Sequence, residues 1–285
     1  MELRNPGLRI LPNVSCKFEK TKMVDNCFKL LRKNFRLNGK LIIDHVKRNH
    51  FDPWNLADEE DICSFCGKAE ELTKEHVLPK WCFQNDPNSY FETVINGTNQ
   101  TFIKTTIPSC SKCNNETLGK LEKYINNLFK DTDLNNDYYE YEESLNIIRW
   151  LELIDYKFQI LNFRRKFIRD QSAEFVPYLK DIPMSVMRIN IDLSPYKALS
   201  QLRKSQARIK GKEKDSKYYS LVFWKSKNKQ SLFFHTMDEY IFFEFPEYQM
   251  AMFYFFNKEF ESNYDAEREA KRIVVENYGE KSATN

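Results

Sequence analysis

Four of the seven cysteines occur as two Cys-x-x-Cys pairs, and no other feature of this chain constrains its fold as strongly. The pairs are Cys63 with Cys66 and Cys110 with Cys113. Two sulfurs separated by two residues reach one ion from a tight turn, and two such pairs supply the four thiolates of a tetrahedral zinc site. We therefore predict that these four cysteines hold a structural Zn²⁺ and close a small folded unit.

The composition favours a folded, soluble protein around this unit. Of the 285 residues, 30% are charged and 15% are aromatic, and the mean hydropathy is −0.65. Aromatic side chains at this density can bury a core, and no apolar run approaches the ~20 residues of a membrane span. The N-terminus has no secretory signal pattern. We expect a cytoplasmic protein without a membrane partner, in which the unpaired thiols of Cys16, Cys27 and Cys82 are ordinary.

Hydrophobic periodicity and turn signals predict an α+β fold in three parts. The first is a helical N-terminal segment, 1–60, with a helix over 15–37 that ends at Asn38-Gly39. The second is the cysteine-bounded unit, 61–130, with short strands followed by a helix from Asn114. The third is an α+β domain, 131–285, which we expect to select the substrate or a partner. Its predicted elements are a helix around 143–162, strands within 185–193 and 218–257, and a final helix over about 264–277.

The interval between the cysteine pairs contains Glu75 followed directly by His76, one of only four histidines in the chain. Hydrolysis of a phosphodiester needs an activated water, a neutralised phosphate and a stabilised leaving oxygen. A neutral imidazole, with an ordinary pKa of about 6.5, meets the first need. A hard divalent cation with oxygen ligands meets the others. Neighbouring strand residues point to opposite faces. A general base and a metal ligand do not need to point in one direction, so these two side chains could still flank a common phosphate. Asn114 directly follows Cys113, and its side-chain oxygen is the second candidate ligand.

These residues form the pattern Cys63-x-x-Cys66, Glu75-His76-x-x-Pro79 and Cys110-x-x-Cys113-Asn114, which resembles the HNH (ββα-metal) endonucleases. The resemblance is closest to their zinc-containing branch, which includes phage recombination endonuclease VII. It covers residues 61–130 and implies a ββα-metal nuclease unit that cuts DNA. It further implies that His76 is the general base, that Glu75 and Asn114 bind a catalytic Mg²⁺ or Mn²⁺, and that the four cysteines bind the structural zinc.

The sequence departs from the family pattern at two positions. Glu75 stands where aspartate is commoner, and Asn114 replaces the last histidine of the family name, a substitution that this branch also shows. The middle Asn of the family, which supports the base histidine, corresponds to Asn96 or Asn99. His45, His50 and His235 have no such pattern around them and are expected to be ordinary histidines.

Other readings of the same residues stay open. The chain could be a non-catalytic zinc module that binds nucleic acid or a partner protein, or a nuclease that acts on RNA. For a DNA endonuclease of this kind we favour a role as an effector of bacterial anti-phage defence, and both a regulatory protein partner and a homo-oligomer are open. The basic stretches 203–217 and 164–169 are either nucleic-acid contacts or solvated surface. The strands SLFFHT and EYIFFEF are apolar on both faces and are therefore predicted to be core.

Overall fold

The computed structural model describes residues 13–51, 60–85, 90–91, 100–131, 139–166, 195–228, 232–236 and 239–279. Helices and strands are mixed along these residues, as the predicted α+β class requires. The helices are α1 (Asn13–Phe51), α2 (Gly119–Asp131), α3 (Tyr141–Lys166), α4 (Pro195–Lys210) and α5 (Asn263–Tyr278). The strands are β1 (Leu72–His76), β2 (Tyr90–Phe91), β3 (Gln100–Thr101), β4 (Thr106–Cys110), β5 (Leu221–Lys225), β6 (Phe233–Thr236), β7 (Tyr240–Phe245) and β8 (Met250–Phe255).

Helix α1 is one continuous element of 39 residues, so the predicted stop at Asn38-Gly39 is wrong. A glycine at this point allows α4 to approach closely, since a Cβ on Gly39 would lie 2.6 Å from Oε1 of Gln206. The Gln206 amide donates to the Gly39 carbonyl at 3.1 Å. Packing against a distant segment therefore explains the glycine, which in isolation resembles a helix terminator.

The cysteine-bounded unit contains an antiparallel pair of strands followed by a helix. β1 pairs with β4 so that Leu72 lies opposite Cys110 and His76 opposite Thr106. The chain leaves β4 through a π-helical segment, Lys112–Leu118, and continues directly into α2. The order of strands and then helix agrees with the predicted order.

A four-stranded antiparallel sheet with the order β5-β8-β7-β6 forms the other half of the molecule. Strands β7 and β8 are buried along their whole length, because α3 covers one face of the sheet and α5 covers the other. On β8, for example, Met252 and Tyr254 belong to the α3 side, whereas Phe253 and Phe255 pack with Ala270 of α5. The prediction that the aromatic strands are core is confirmed for EYIFFEF, which is β7. SLFFHT contains the edge strand β6, which is only half-buried, because no described strand covers its outer edge.

Helix α3 is the centre of the fold. Between residues 144 and 161 every side chain except Arg149 is buried, as expected for a helix surrounded by other elements. It contacts α1, α4, the sheet and the cysteine-bounded unit, and one continuous hydrophobic core joins all of them. The packing therefore runs without interruption across positions 60 and 130, where we predicted the domain limits.

Helix α4 falls in a stretch where the sequence suggested only basic residues. Its buried positions, among them Leu202 and Ile209, recur at helical spacing and pack on α3. The strand predicted over 185–193 lies outside the described residues. Among the described helices, none is long and apolar enough to cross a membrane.

Candidate metal centre and the acid–histidine pair beside it

The four cysteine sulfurs converge on one point, as the sequence predicts. The Sγ atoms of Cys63, Cys66, Cys110 and Cys113 all lie within 4.8 Å of one another, and those of Cys66 and Cys110 are 3.6 Å apart. Four thiolates bound tetrahedrally at about 2.3 Å from a Zn²⁺ have sulfurs about 3.8 Å apart. The donor set and its spacing fit a structural zinc ion, and in the described part of the chain no other cluster of three or more His, Cys, Asp or Glu side chains could hold a metal.

The backbone around the sulfurs is arranged as in a site for thiolates. The amide of Phe65 donates to Sγ of Cys63 at 3.4 Å, and the amide of Cys113 donates to Sγ of Cys110 at 3.5 Å. Hydrogen bonds from Cys113 and then Cys66 lower the pKa of Cys63, whereas hydrogen bonds to Cys63 and Cys66 raise the pKa of Cys113. A divalent cation bound by the four sulfurs would displace the thiol protons.

Two long helices fix the four-cysteine knuckle, which we define as the two turns that carry Cys63, Cys66, Cys110 and Cys113. Asn38 of α1 donates to the Cys66 carbonyl at 2.9 Å, and Tyr156 of α3 donates to the Ser64 carbonyl at 2.5 Å. Gly67 has a φ of +74°, and a Cβ there would lie 3.1 Å from Leu41 of α1. A left-handed glycine is thus required both by the turn and by the close approach of α1.

Glu75 points into the protein and is only 5% exposed. Its carboxylate accepts a hydrogen bond from Lys157 of α3, and the same ammonium group donates to Glu122 Oε1 at 2.9 Å and to the His76 carbonyl at 3.2 Å. Burial raises the pKa of Glu75 to about 7, with Glu122 acting in the same direction and Lys157 against it. Burial by itself would lower the pKa of Lys157, but Glu122 and Glu75 more than offset this, so the net shift of Lys157 is upward. The lysine remains a cation between two acids.

His76 lies on the opposite face of β1 and is half-buried. Its ring centroid is 6.0 Å from that of Phe83. Burial and the positive charge of Lys80 lower the pKa of His76, against a hydrogen bond to the backbone of Ile103 that raises it. The ring is therefore neutral near pH 7, which is the form that accepts a proton. The opposite orientation of adjacent strand residues is as expected.

Asn114 is at the start of the helical segment that follows β4, directly beside the knuckle. Its amide donates to Oγ1 of Thr73 at 2.9 Å, and that hydroxyl donates to the Ser109 carbonyl at 2.9 Å. Thr73 and Glu75 share a face of β1. Asn114 therefore lies along the face that carries Glu75, but its amide bonds Thr73 and not Glu75. Asn96 and Asn99, the candidates for the middle Asn, lie outside the described residues.

The residues predicted to hold a catalytic Mg²⁺ do not fit that ion in this arrangement. A hard divalent cation needs open carboxylate oxygens and room for several waters. The Glu75 carboxylate instead is buried against the ammonium group of Lys157, and Asn114 is bonded to Thr73. No pattern in the sequence marked Lys157 or Glu122 as partners of Glu75.

The turn after His76 is locked to the rest of the molecule by aromatic contacts. Trp81 lies in the short helix Lys80–Cys82 and stacks on Trp150 of α3 and Phe245 of β7, with ring centroids 5.9 and 6.0 Å away. Such pairs contribute about 0.5–1.5 kcal/mol each beyond their buried area. The β1 end that carries His76 is therefore held against α3 and the sheet.

Four described cations of the two basic stretches pair with carboxylates: Arg164, Arg208, Lys214 and Lys217. Arg208 pairs with buried Asp155, and Lys214 lies 2.7 Å from Glu152. Arg164 binds both carboxylate oxygens of Asp61, at 2.6 and 3.0 Å. These ion pairs stabilise the contacts of α3 with its neighbours.

Comparisons of the chain with models of protein families, with curated proteins and with solved structures found no match. The resemblance to the HNH endonucleases therefore depends on the spacing of the residues described above.

Proposed function

We propose that this protein is an endonuclease of the HNH type that hydrolyses DNA phosphodiester bonds, with His76 as its general base. The observation that carries the proposal is the position of His76, a half-buried histidine at the end of a strand that the four-cysteine knuckle fixes at its other end. Burial lowers the pKa of this histidine, which favours the base form. A strand pair followed by a helical segment that contains the last cysteine is in keeping with a ββα unit.

In this proposal the chain's own residues supply the base and its orientation. His76 takes a proton from a water molecule as its oxygen attacks phosphorus, the bond from phosphorus to the leaving sugar oxygen breaks, and that oxygen is protonated by solvent. The backbone of Ile103 orients the ring, and the packing of Phe83 limits its motion. Four thiolates around zinc leave no open position, so the zinc of the knuckle has a structural role.

The catalytic Mg²⁺ or Mn²⁺ that the resemblance implies is part of the proposal, and its binding requires two rearrangements. Glu75 has to exchange Lys157 for the cation, and Asn114 has to turn its oxygen away from Thr73. When bound, such an ion would neutralise the phosphate and the leaving oxygen.

A second candidate is a zinc module without catalytic activity that binds nucleic acid or a partner protein. The closed pair of Glu75 and Lys157 favours it, because a buried acid with a buried counter-ion is an ordinary structural feature. In that case binding survives the change His76→Ala but requires Cys63 and Cys110.

The test is cleavage of supercoiled plasmid, linear duplex, single-stranded DNA and RNA in Mg²⁺, Mn²⁺ or EDTA. We expect metal-dependent cutting of DNA by the zinc-loaded protein, with a loss of two orders of magnitude or more in His76→Ala. His235→Ala is the matched control, since His235 is also partly buried with a lowered pKa but contacts Tyr278 at the sheet. That variant should cut normally.

The outcomes separate the alternatives. No cutting of any substrate by folded, zinc-loaded protein would favour the binding module, and preferential cutting of RNA would assign a ribonuclease. Equal activity in His76→Ala and wild type would remove His76 from the chemistry. For the anti-phage role, we expect expression to be toxic to bacteria and the toxicity to disappear in His76→Ala.

A further inference from the structure

An open groove between α1 and the segment after α4 is lined almost entirely by cations. Its volume is about 430 Å³, and the lining residues are Lys29, Arg32, Lys33, Arg36, Leu37 and Lys212. The four cations on α1 recur at positions i, i+3, i+4 and i+7, which places them on one face of the helix. The opposite face, with Phe28, Leu31 and Phe35, is buried in the core.

None of the five groove cations forms an ion pair with an acid in the part of the chain that the structure describes. Arg36 is held in place by a hydrogen bond to the Lys210 carbonyl at 3.1 Å. This contrasts with α5, where Arg268, Lys271 and Arg272 each lie within 3.3 Å of a carboxylate oxygen. The groove therefore concentrates positive charge that the described residues do not neutralise through ion pairs.

The charges are close enough to oppose one another. Burial, then Arg149 and Arg36, lower the pKa of Arg32, against a weaker opposing effect of Asp25. Arg149 itself has a buried Nε without a hydrogen-bond partner. An arrangement of like charges that raises the free energy of the unbound protein is relieved when an anion binds, so the groove has the electrostatics of an anion site.

The shape of the groove selects among anions. Lys29 and Arg36 are seven residues apart on α1, or about 10.5 Å at 1.5 Å per residue. Phosphates repeat regularly along a nucleic-acid strand, so a row of cations of this length can face more than one of them. The groove is open to solvent, and its one non-cationic lining residue is Leu37, so it suits an extended polyanion better than an enclosed small ligand.

We propose that this groove binds the phosphodiester backbone of a nucleic acid, with Lys29, Lys33 and Lys212 as direct phosphate contacts. The choice of ligand rests on the proposed function, although backbone binding does not depend on cleavage. Asn38 follows the groove residue Leu37 on α1 and donates a hydrogen bond to the Cys66 carbonyl. The same helix therefore lines the groove and supports the candidate metal centre. Contacts of this kind supply affinity and register without reading the sequence.

The test measures binding of a labelled 20-base-pair DNA duplex and of an RNA of the same length by fluorescence anisotropy, in EDTA, over a series of salt concentrations. The variant carries Lys29→Gln, Lys33→Gln and Lys212→Gln. The matched control also removes three positive charges, but from α5, through Arg268→Gln, Lys271→Gln and Arg272→Gln. Thermal melting and zinc content establish that both proteins fold.

We expect the groove variant to bind at least tenfold more weakly near 0.1 M salt, with the control close to wild type. The slope of log K against log salt should become shallower by about 0.9 for each lost contact, or about 2 to 3 in total. Equal losses in both variants, or no loss in either, would overturn the proposal. So would polyglutamate binding as tightly as the nucleic acid, since the ligand would then be an acidic protein. Intact groove binding without cleavage in any metal would contradict the proposed function alone.

Discussion

The two ends of strand β1 carry the two features that the sequence singled out, and they are built from different kinds of contact. At the first end, the knuckle brings four cysteines together through two tight turns, with Leu72 paired to Cys110. At the other end, the Glu75 carboxylate forms an ion pair with Lys157, which is 82 residues away on α3. The ligands of the first site are fixed by local spacing, whereas the surroundings of the second depend on how distant helices pack.

This difference decides which inferences a sequence supports. A Cys-x-x-Cys pair allows few geometries and few functions, so the position of the metal centre follows from the pattern. A Glu-His pair on a strand is compatible with many geometries and functions, because distant parts of the chain supply the groups that contact each side chain. In this fold the acid faces a buried lysine and the histidine faces Phe83 and the backbone of Ile103.

Loss of one zinc ligand should have the largest effect on stability. We expect Cys113→Ser to lose zinc and to unfold residues 61–130, because zinc binding contributes on the order of 10 kcal/mol to a unit of this kind. Metal content, thermal melting and hydrogen exchange measure the change. Cys27→Ser, which alters a buried thiol of α1 outside the cluster, is the control and should retain zinc with a small decrease in Tm. Equal melting of Cys113→Ser and wild type would contradict a structural zinc.

Breaking the pair of Glu75 and Lys157 should have an intermediate effect. Lys157→Met removes the cation and leaves a buried carboxyl group without a partner, at a cost of about 3–5 kcal/mol. Adding Glu75→Gln should recover most of this, since the remaining acid, Glu122, has a side chain that is 21% exposed. Urea denaturation gives the free energy of unfolding for the two single variants and the double variant. Additive losses would show that the two residues are not coupled in the folded protein.

The pH dependence of stability gives a second readout of the same pair. The pKa of Glu75 rises in the folded state from its ordinary 4.5 to about 7. A raised carboxyl pKa contributes stability that is fully present below pH 4.5 and is lost as the pH rises through 7. We expect this decline between pH 4.5 and 7 in wild type and its absence in Glu75→Gln, with all other conditions held constant. The same decline in Glu75→Gln would assign it to another group.

The helices show the same limit on sequence inference as the site. The repeating apolar positions of α3 and α5 predicted both elements, because they recur at helical spacing over several turns. The end predicted for α1 at Asn38-Gly39 was wrong, because these residues serve contacts with other segments: Asn38 with the knuckle, and Gly39 with Gln206 of α4. The basic groove was missed for a related reason, since its row of cations on α1 and Lys212 belong to segments far apart in sequence.

The contact of Asn38 with the knuckle should have the smallest effect, and it tests how far the metal centre depends on distant packing. Asn38→Ala removes a hydrogen bond to the Cys66 carbonyl, which we expect to lower the free energy of unfolding by about 1 kcal/mol. Asn34→Ala, one turn earlier on α1 and without a hydrogen bond to the knuckle, controls for the helix propensity of alanine. Both proteins should bind one zinc ion, with a faster release of zinc to a chelator in Asn38→Ala. Identical release rates would show that the four cysteines determine the knuckle by themselves. A complete loss of zinc would show instead that α1 is required to form it, and that local spacing is insufficient even at this end of β1.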